Sequence, residues 1–330
     1  MKRKMRNYLD LSEELKQHGI EAQDGEFYDY RDFPLETDFN TFYEFCQTYL
    51  DRDDLGFDIK PARFYYNSNI NVNGLAYVKN DFKLVEIYKG TIFGLKDFFD
   101  SKKELFSGES ILKYKQLTLK NASEPEYFLF QYVTLYFLYH EVGHLIQRSM
   151  GSTNHKEFVD TKCEGDDIIT QHIREHDADW FAANQVAFHI ISFANQISEP
   201  SLESKKTTTE DIASLSLAGI YMYFIRRTKA YPQIYYQEHC HPHPSVRLSY
   251  MIYYLMDALS ENLPFVLNKG SVLTNAIAIS ESLMMEPERN IIKEYSLQLY
   301  AEIKKVEDYI KQIRKNSEGY PYLSRKLLNP

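Results

Sequence analysis

Phe137-Leu138-Tyr139-His140-Glu141-Val142-Gly143-His144-Leu145-Ile146 sets two histidines four residues apart, with a glutamate between them, inside an apolar run. On a helix, residues four apart project from nearly the same face, so both imidazoles can reach one metal ion at about 2.0–2.1 Å. Glu141 then stands beside the metal. A carboxylate there can take a proton from a metal-activated water, whose pKa falls towards about 7, and later deliver it to a leaving amine. The run has no charge at its two intervening positions and no proline, which suits a buried helix. Gly143 lowers helix propensity by about 1 kcal/mol relative to Ala, and so predicts close approach of a neighbouring segment. The alternative, a pair of core histidines, would bury Glu141 at a cost unless it found a partner.

A catalytic zinc usually has three protein ligands, so a third is sought downstream. Arg174-Glu175-His176-Asp177-Ala178-Asp179-Trp180-Phe181-Ala182-Ala183 opens an amphipathic run towards Ile197. Glu175 and Asp179 share a face of that helix. Glu175 is the candidate third ligand, and Asp179, one turn on, is placed to orient a ligand histidine through its free ring nitrogen. Ala178, Ala182 and Ala183 let this helix lie close to the motif helix. His176 and Asp177 compete with Glu175 as ligands, and the bland alternative is an acidic first turn that favours the helix dipole.

Together the two motifs resemble those of the gluzincin metallopeptidases, especially the group of the CAAX prenyl protease and the HtpX-type heat-shock protease, whose second motif reads Glu-x-x-Ala-Asp. His241-Pro242-His243-Pro244-Ser245-Val246-Arg247 is similar to the His-Pro pair and following Arg of that group. The resemblance, over residues 83–255, implies a zincin-like helical core and one Zn2+ per chain on His140, His144 and Glu175, with Glu141 as general base and acid. It also implies that His241 or His243 stabilises the oxyanion and that Arg247 braces the acidic residues of the site. The doubled His-Pro leaves both histidines open. The extended three-histidine motif of the metzincins is missing, since Gln147 stands where they have Gly. Residues 84–95 are also similar to the soluble Lit-type phage-exclusion peptidases, prophage- or defence-associated zinc proteases that cleave a host protein. The implied activity is hydrolysis of a peptide bond in a protein or peptide substrate, by an enzyme open to control by an activating or inhibitory protein partner. The alternative is a proteolytically inactive zincin scaffold acting as a binding or regulatory module.

Composition is compatible with this. The chain of 330 residues, 44% hydrophobic, can bury an ample core, and its net charge of −9 argues against a nucleic-acid partner. Its 27 Tyr and 21 Phe show no periodic stacking motif and read as core and groove residues. Residues 127–146 are interrupted by Gln131, His140 and Glu141, and residues 212–225 fall short of the roughly 20 that span a bilayer, so both read as buried helices. Met1-Lys2-Arg3-Lys4-Met5-Arg6 is not followed by an apolar stretch of the secretory kind. Cys46, Cys163 and Cys240 are odd in number and widely spaced, which suits a reducing cytosol better than a disulfide framework, and Cys240 reads as a buried or incidental thiol. The expected location is cytoplasmic.

The pattern predicts an α+β fold: a small antiparallel or mixed sheet, then a predominantly helical core. Strands are expected over Arg63 to Tyr66, Ala76 to Val78 and Lys83 to Tyr88, with Asn67-Ser68-Asn69 and Asn71-Val72-Asn73-Gly74 as turn chemistry. An edge of this sheet is a candidate for pairing with a substrate backbone. Helices are expected over Asn40 to Leu50, Glu126 to Arg148, Arg174 to Ile197, Thr209 to Arg227, Ser245 to Leu259 and Arg289 to Arg314. Residues 199–209 and 151–167 read as polar connections, the second as a cleft rim. Three regions are expected: 1–110 with the sheet, 111–260 with the zinc site, and a helical extension over 261–330.

Overall fold

The computed structural model describes residues 7–22, 25–149, 166–227 and 233–328. Among the described residues the fold is α+β, with one three-stranded sheet among many helices. The described residues run α1 (Tyr8–Gln17), α2 (Glu36–Leu50), β1 (Ala62–Asn67), β2 (Gly74–Lys79), β3 (Phe82–Tyr88), α3 (Lys89–Asp100), α4 (Leu112–Leu119), α5 (Pro125–Ser149), α6 (Asp166–Ile197) and α7 (Leu202–Arg227). They continue through α8 (Pro244–Asn262), α9 (Lys269–Leu283), α10 (Glu288–Ala301), α11 (Ile303–Asn316) and α12 (Ser324–Leu328). Two compact units emerge: one of residues 1–97, 140–157 and 321–330, the other of residues 98–139 and 158–320.

In the first unit the sheet is mixed, in the order β1-β3-β2, with β1 parallel and β2 antiparallel to the central β3. Its aromatic, β-branched strands are buried almost throughout. Side chains satisfy the outer edge of β1: Gln47 of α2 accepts from the Phe64 amide (3.0 Å), and the Tyr8 hydroxyl accepts from the Tyr66 amide (3.0 Å). The asparagines between β1 and β2 form the expected turns, the Asn69 amide donating to Asn67 Oδ1 (2.7 Å) and the Asn71 amide to Asn69 Oδ1 (2.9 Å). A carboxyl that periodicity does not reveal, Glu86 of β3, is fully buried and accepts from Tyr65, Tyr77 and Asn67.

The second unit is helical, and α6 packs along α8 while α7 packs along α9. Gly219 lets α7 approach α5 closely: a Cβ there would lie 3.0 Å from Leu129 Cδ2 and 3.2 Å from Val133 Cγ2.

Several boundaries differ from expectation. Helix α6 starts at Asp166, well before Arg174, and α7 starts at Leu202, so Lys205 to Thr209 is helical and not a loop. The run expected over Arg289 to Arg314 breaks at Glu302 into α10 and α11. The connection read as a cleft rim lies outside the described residues apart from its last two, as does Cys163. Cys46 is a free, buried thiol, whereas Cys240 is disulfide-bonded, which corrects the expectation that the cysteines stand outside any disulfide. Among the described residues no helix is long and apolar enough to cross a membrane.

Candidate metal centre

Helix α5 carries the first motif on a buried face. His140, Glu141 and His144 all have low exposure, and the two histidine Nε2 atoms lie 3.2 Å apart with their rings nearly perpendicular, at 86°. The tautomer of His144 follows from its neighbour. Gln147 Oε1 lies 3.2 Å from His144 Nδ1, so Nδ1 carries the proton and Nε2 presents a lone pair towards His140. Gln147, which sequence reading noted only as a departure from the metzincin pattern, thus orients a candidate ligand.

Helix α6 supplies Glu175. Among the described residues, His140, His144 and Glu175 form one buried group whose ligand atoms all lie within 4.8 Å of one another. Two imidazoles and a carboxylate form a donor set suited to zinc with one position left for water. His176 faces elsewhere: the Tyr254 hydroxyl lies 2.5 Å from its Nε2, and its ring stands 4.8 Å from that of Tyr250. Asp177 is buried and outside the group.

Around Glu175 the second unit builds a polar scaffold. Gln171 Nε2 donates to Oε1 at 3.3 Å, while His241 Nδ1 stands 3.3 Å and Arg247 Nη2 3.8 Å from Oε2. One turn on, Asp179 is fully buried and pairs in fork fashion with Arg247, Nε to Oδ2 at 2.9 Å and Nη2 to Oδ1 at 2.7 Å. Two further hydroxyls reach Asp179, Tyr250 to Oδ2 at 2.6 Å and Tyr136 to Oδ1. Burial works against the Arg247 charge, but Asp179 and the two tyrosines outweigh it and raise its pKa. Burial first, and then the Asp179 charge, keep the Tyr250 hydroxyl protonated as a donor.

The two His-Pro histidines part company. His241 is half-exposed beside Glu175. His243 is the N-cap of α8: its Nδ1 accepts from the Ser245 amide at 3.1 Å, and its ring sits 4.8 Å from Tyr235 and 4.4 Å from Tyr295. Burial pushes its pKa down to about 3. Tyr136 and Tyr250 escaped sequence reading, although Tyr136 lies one turn before His140 and Tyr250 one turn after Arg247, spacings that could have found them. On the sheet, the outermost strand β2 is met by the motif helix itself, since Arg148 donates to the Ala76 carbonyl. Comparison with protein-family models, curated proteins and solved structures finds no match to this chain.

Proposed function

We propose that the protein is a zinc-dependent endopeptidase, and the observation that carries this reading is the buried His140, His144 and Glu175 group with Glu141 on the turn between the two histidines. Zinc held by these three would acidify a water and polarise the scissile carbonyl. Glu141 takes the proton as the water oxygen adds to the carbonyl carbon, then gives it to the amine nitrogen as the C–N bond breaks. His241, rather than His243, is the candidate oxyanion donor, because it is the one beside Glu175 and open to solvent. The Arg247 and Asp179 pair holds α6 and α8 together behind the site. A substrate backbone would add to the edge of β2 beside the Ala76 carbonyl that Arg148 holds.

The test is elemental analysis of purified protein together with cleavage of a proteome-derived peptide library read by mass spectrometry. The expected result is one zinc per chain, lost in His144→Ala. Glu141→Gln retains the zinc but cuts at least about 100-fold more slowly, the lower end of what a positioned base contributes. Zinc bound without any cleavage by the wild type would favour the binding-module reading. An active Glu141→Gln protein would remove Glu141 from the mechanism.

A further inference from the structure

His172 is a fully buried histidine on α6, one turn before Glu175, that neither motif uses. Its Nε2 lies 2.7 Å from the His239 main-chain oxygen and its Nδ1 2.6 Å from the Tyr309 hydroxyl. A carbonyl only accepts, so Nε2 carries the proton, and Nδ1 is the lone pair that accepts from Tyr309. Burial lowers its pKa to about 4, so one neutral tautomer makes both bonds at neutral pH.

The carbonyl that it grips belongs to residues 233–243, a stretch without regular secondary structure that leads into α8. Other fastenings of this strap come from α10, α11 and the turn between them. The Ile234 amide donates to Gln298 Oε1 (2.9 Å), the Tyr236 hydroxyl donates to Glu302 Oε2 (3.1 Å), and the Tyr236 ring meets Tyr309 edge-on at 5.2 Å. Two residues beyond His239 stands His241, with Nδ1 3.3 Å from Glu175 Oε2. Among the described residues the strap meets the helix bearing Glu175 at two points, the His239 carbonyl on His172 and His241 beside Glu175, on either side of the disulfide-bonded Cys240.

We infer that His172 is a positioning residue: by holding the His239 carbonyl it sets the strap over α6 and so places His241 against Glu175, with α10 and α11 as the platform. The inference rests on the peptidase reading and deepens it, giving the C-terminal helices a part in the site. A catalytic group displaced by about 1 Å costs on the order of a hundredfold in rate, which is why such a tie matters.

The test compares full-length, zinc-loaded wild type with His172→Phe, which keeps ring volume and donates nothing, and His172→Gln, which keeps an N–H for the carbonyl. Amide hydrogen exchange over residues 233–243 should be about tenfold faster in His172→Phe, the cost of one buried hydrogen bond, and within about threefold of wild type in His172→Gln. Zinc content should be unchanged in both. The rate on the best-cut library peptide should fall in His172→Phe as far as in His241→Ala, with no further loss in the double variant and with KM preserved. Wild-type exchange in His172→Phe, or losses that add in the double variant, would overturn the inference. Should His172→Phe fail to fold, the nitrogen shifts of His172 in the wild type decide: an Nδ1-protonated or charged ring at pH 7 overturns the clasp. If zinc binds but nothing is cut, the peptidase reading fails, while exchange and tautomer still judge the strap.

Discussion

Asp179 accepts from three side chains at once, the Arg247 guanidinium and the Tyr136 and Tyr250 hydroxyls, in a place without solvent exposure. A buried ion pair gains little over an apolar replacement, but losing one partner strands the other charge at about 3–5 kcal/mol. Asp179→Asn and Arg247→Met should each lower stability by about that much in urea titration, and Asp179→Leu/Arg247→Met should cost less than their sum. Arg247→Lys should not rescue, since a point charge cannot donate from two nitrogens in one plane while lying 4.1 Å over the Phe224 ring. Additive losses would mean that the pair is not coupled. At this scale, sequence spacing marks His140, Glu141, His144, Glu175 and Asp179, because helical period and chemistry coincide there, while Arg247 enters only through the resemblance. It could not rank His241 against His243, because the same dipeptide serves as a half-exposed neighbour of Glu175 in one case and a buried cap in the other. Nor could it find His172, whose partners lie 67 and 137 residues away in the chain.

At the scale of elements, the strands and the motif helix lie close to where pattern placed them, while polar helix beginnings escaped it. The first turns of helix α7 carry Lys205, Lys206 and three threonines, a polar run with β-branched, weaker helix formers that reads as a loop. There, however, Thr209 Oγ1 donates to the Lys205 carbonyl at 2.7 Å, and Thr208 and Thr209 are buried, so packing overrides propensity. Helix α9 falls inside the helical extension expected over 261–330, but the pattern gives it no bounds of its own, since its small residues Ala276, Ala278 and Ser280 carry little periodic signal; Ser280 Oγ donates to the α7 carbonyl of Ala218 at 3.3 Å. The junction of β3 and α3 shows a different constraint. Gly90 donates to the Asn69 carbonyl at 3.0 Å, Thr91 Oγ1 ties both main-chain groups of Asn73, and a Cβ on Gly90 would collide with the main chain of Ile70 and Asn71. Since a carbonyl in a pinned loop cannot rotate aside as a side chain can, Gly90→Ala should cost about 3 kcal/mol in urea titration. Gly319→Ala, with nothing within 4 Å, should stay within about 0.5 kcal/mol and serves as the control. Equal effects would mean that loop 69–73 yields.

For the whole molecule, the two buried histidines His172 and His243 make stability depend on pH in a definite sense. Both are held neutral by burial, with pKa values of about 4 and about 3 against an ordinary value of 6.5. As pH falls through 6.5 the unfolded chain takes up a proton on each, while the folded chain does not until about 4 and about 3. Their contribution is therefore complete above pH 6.5 and is lost on acidification, at up to about 1.4 kcal/mol per pH unit for each histidine. Two such groups remove about 2.7 kcal/mol per unit between pH 6 and 4.5. Over that window the two together remove about 4 kcal/mol, a large share of a stability of about 5–15 kcal/mol, before most carboxylates titrate. His189, also lowered by burial, acts in the same sense. The measurement is urea unfolding of zinc-free protein at intervals from pH 7.5 to 5, which keeps proton competition for the metal out of the slope. His243→Asn isolates one group, because an asparagine can still accept from the Ser245 amide at the N-cap but does not titrate. Its slope against pH should be shallower than wild type by about 1.4 kcal/mol per unit, with little change in stability at pH 7.5. A slope unaltered by His243→Asn would mean that the His243 ring is protonated in the folded protein, and hence that the space between Tyr235 and Tyr295 admits a charge.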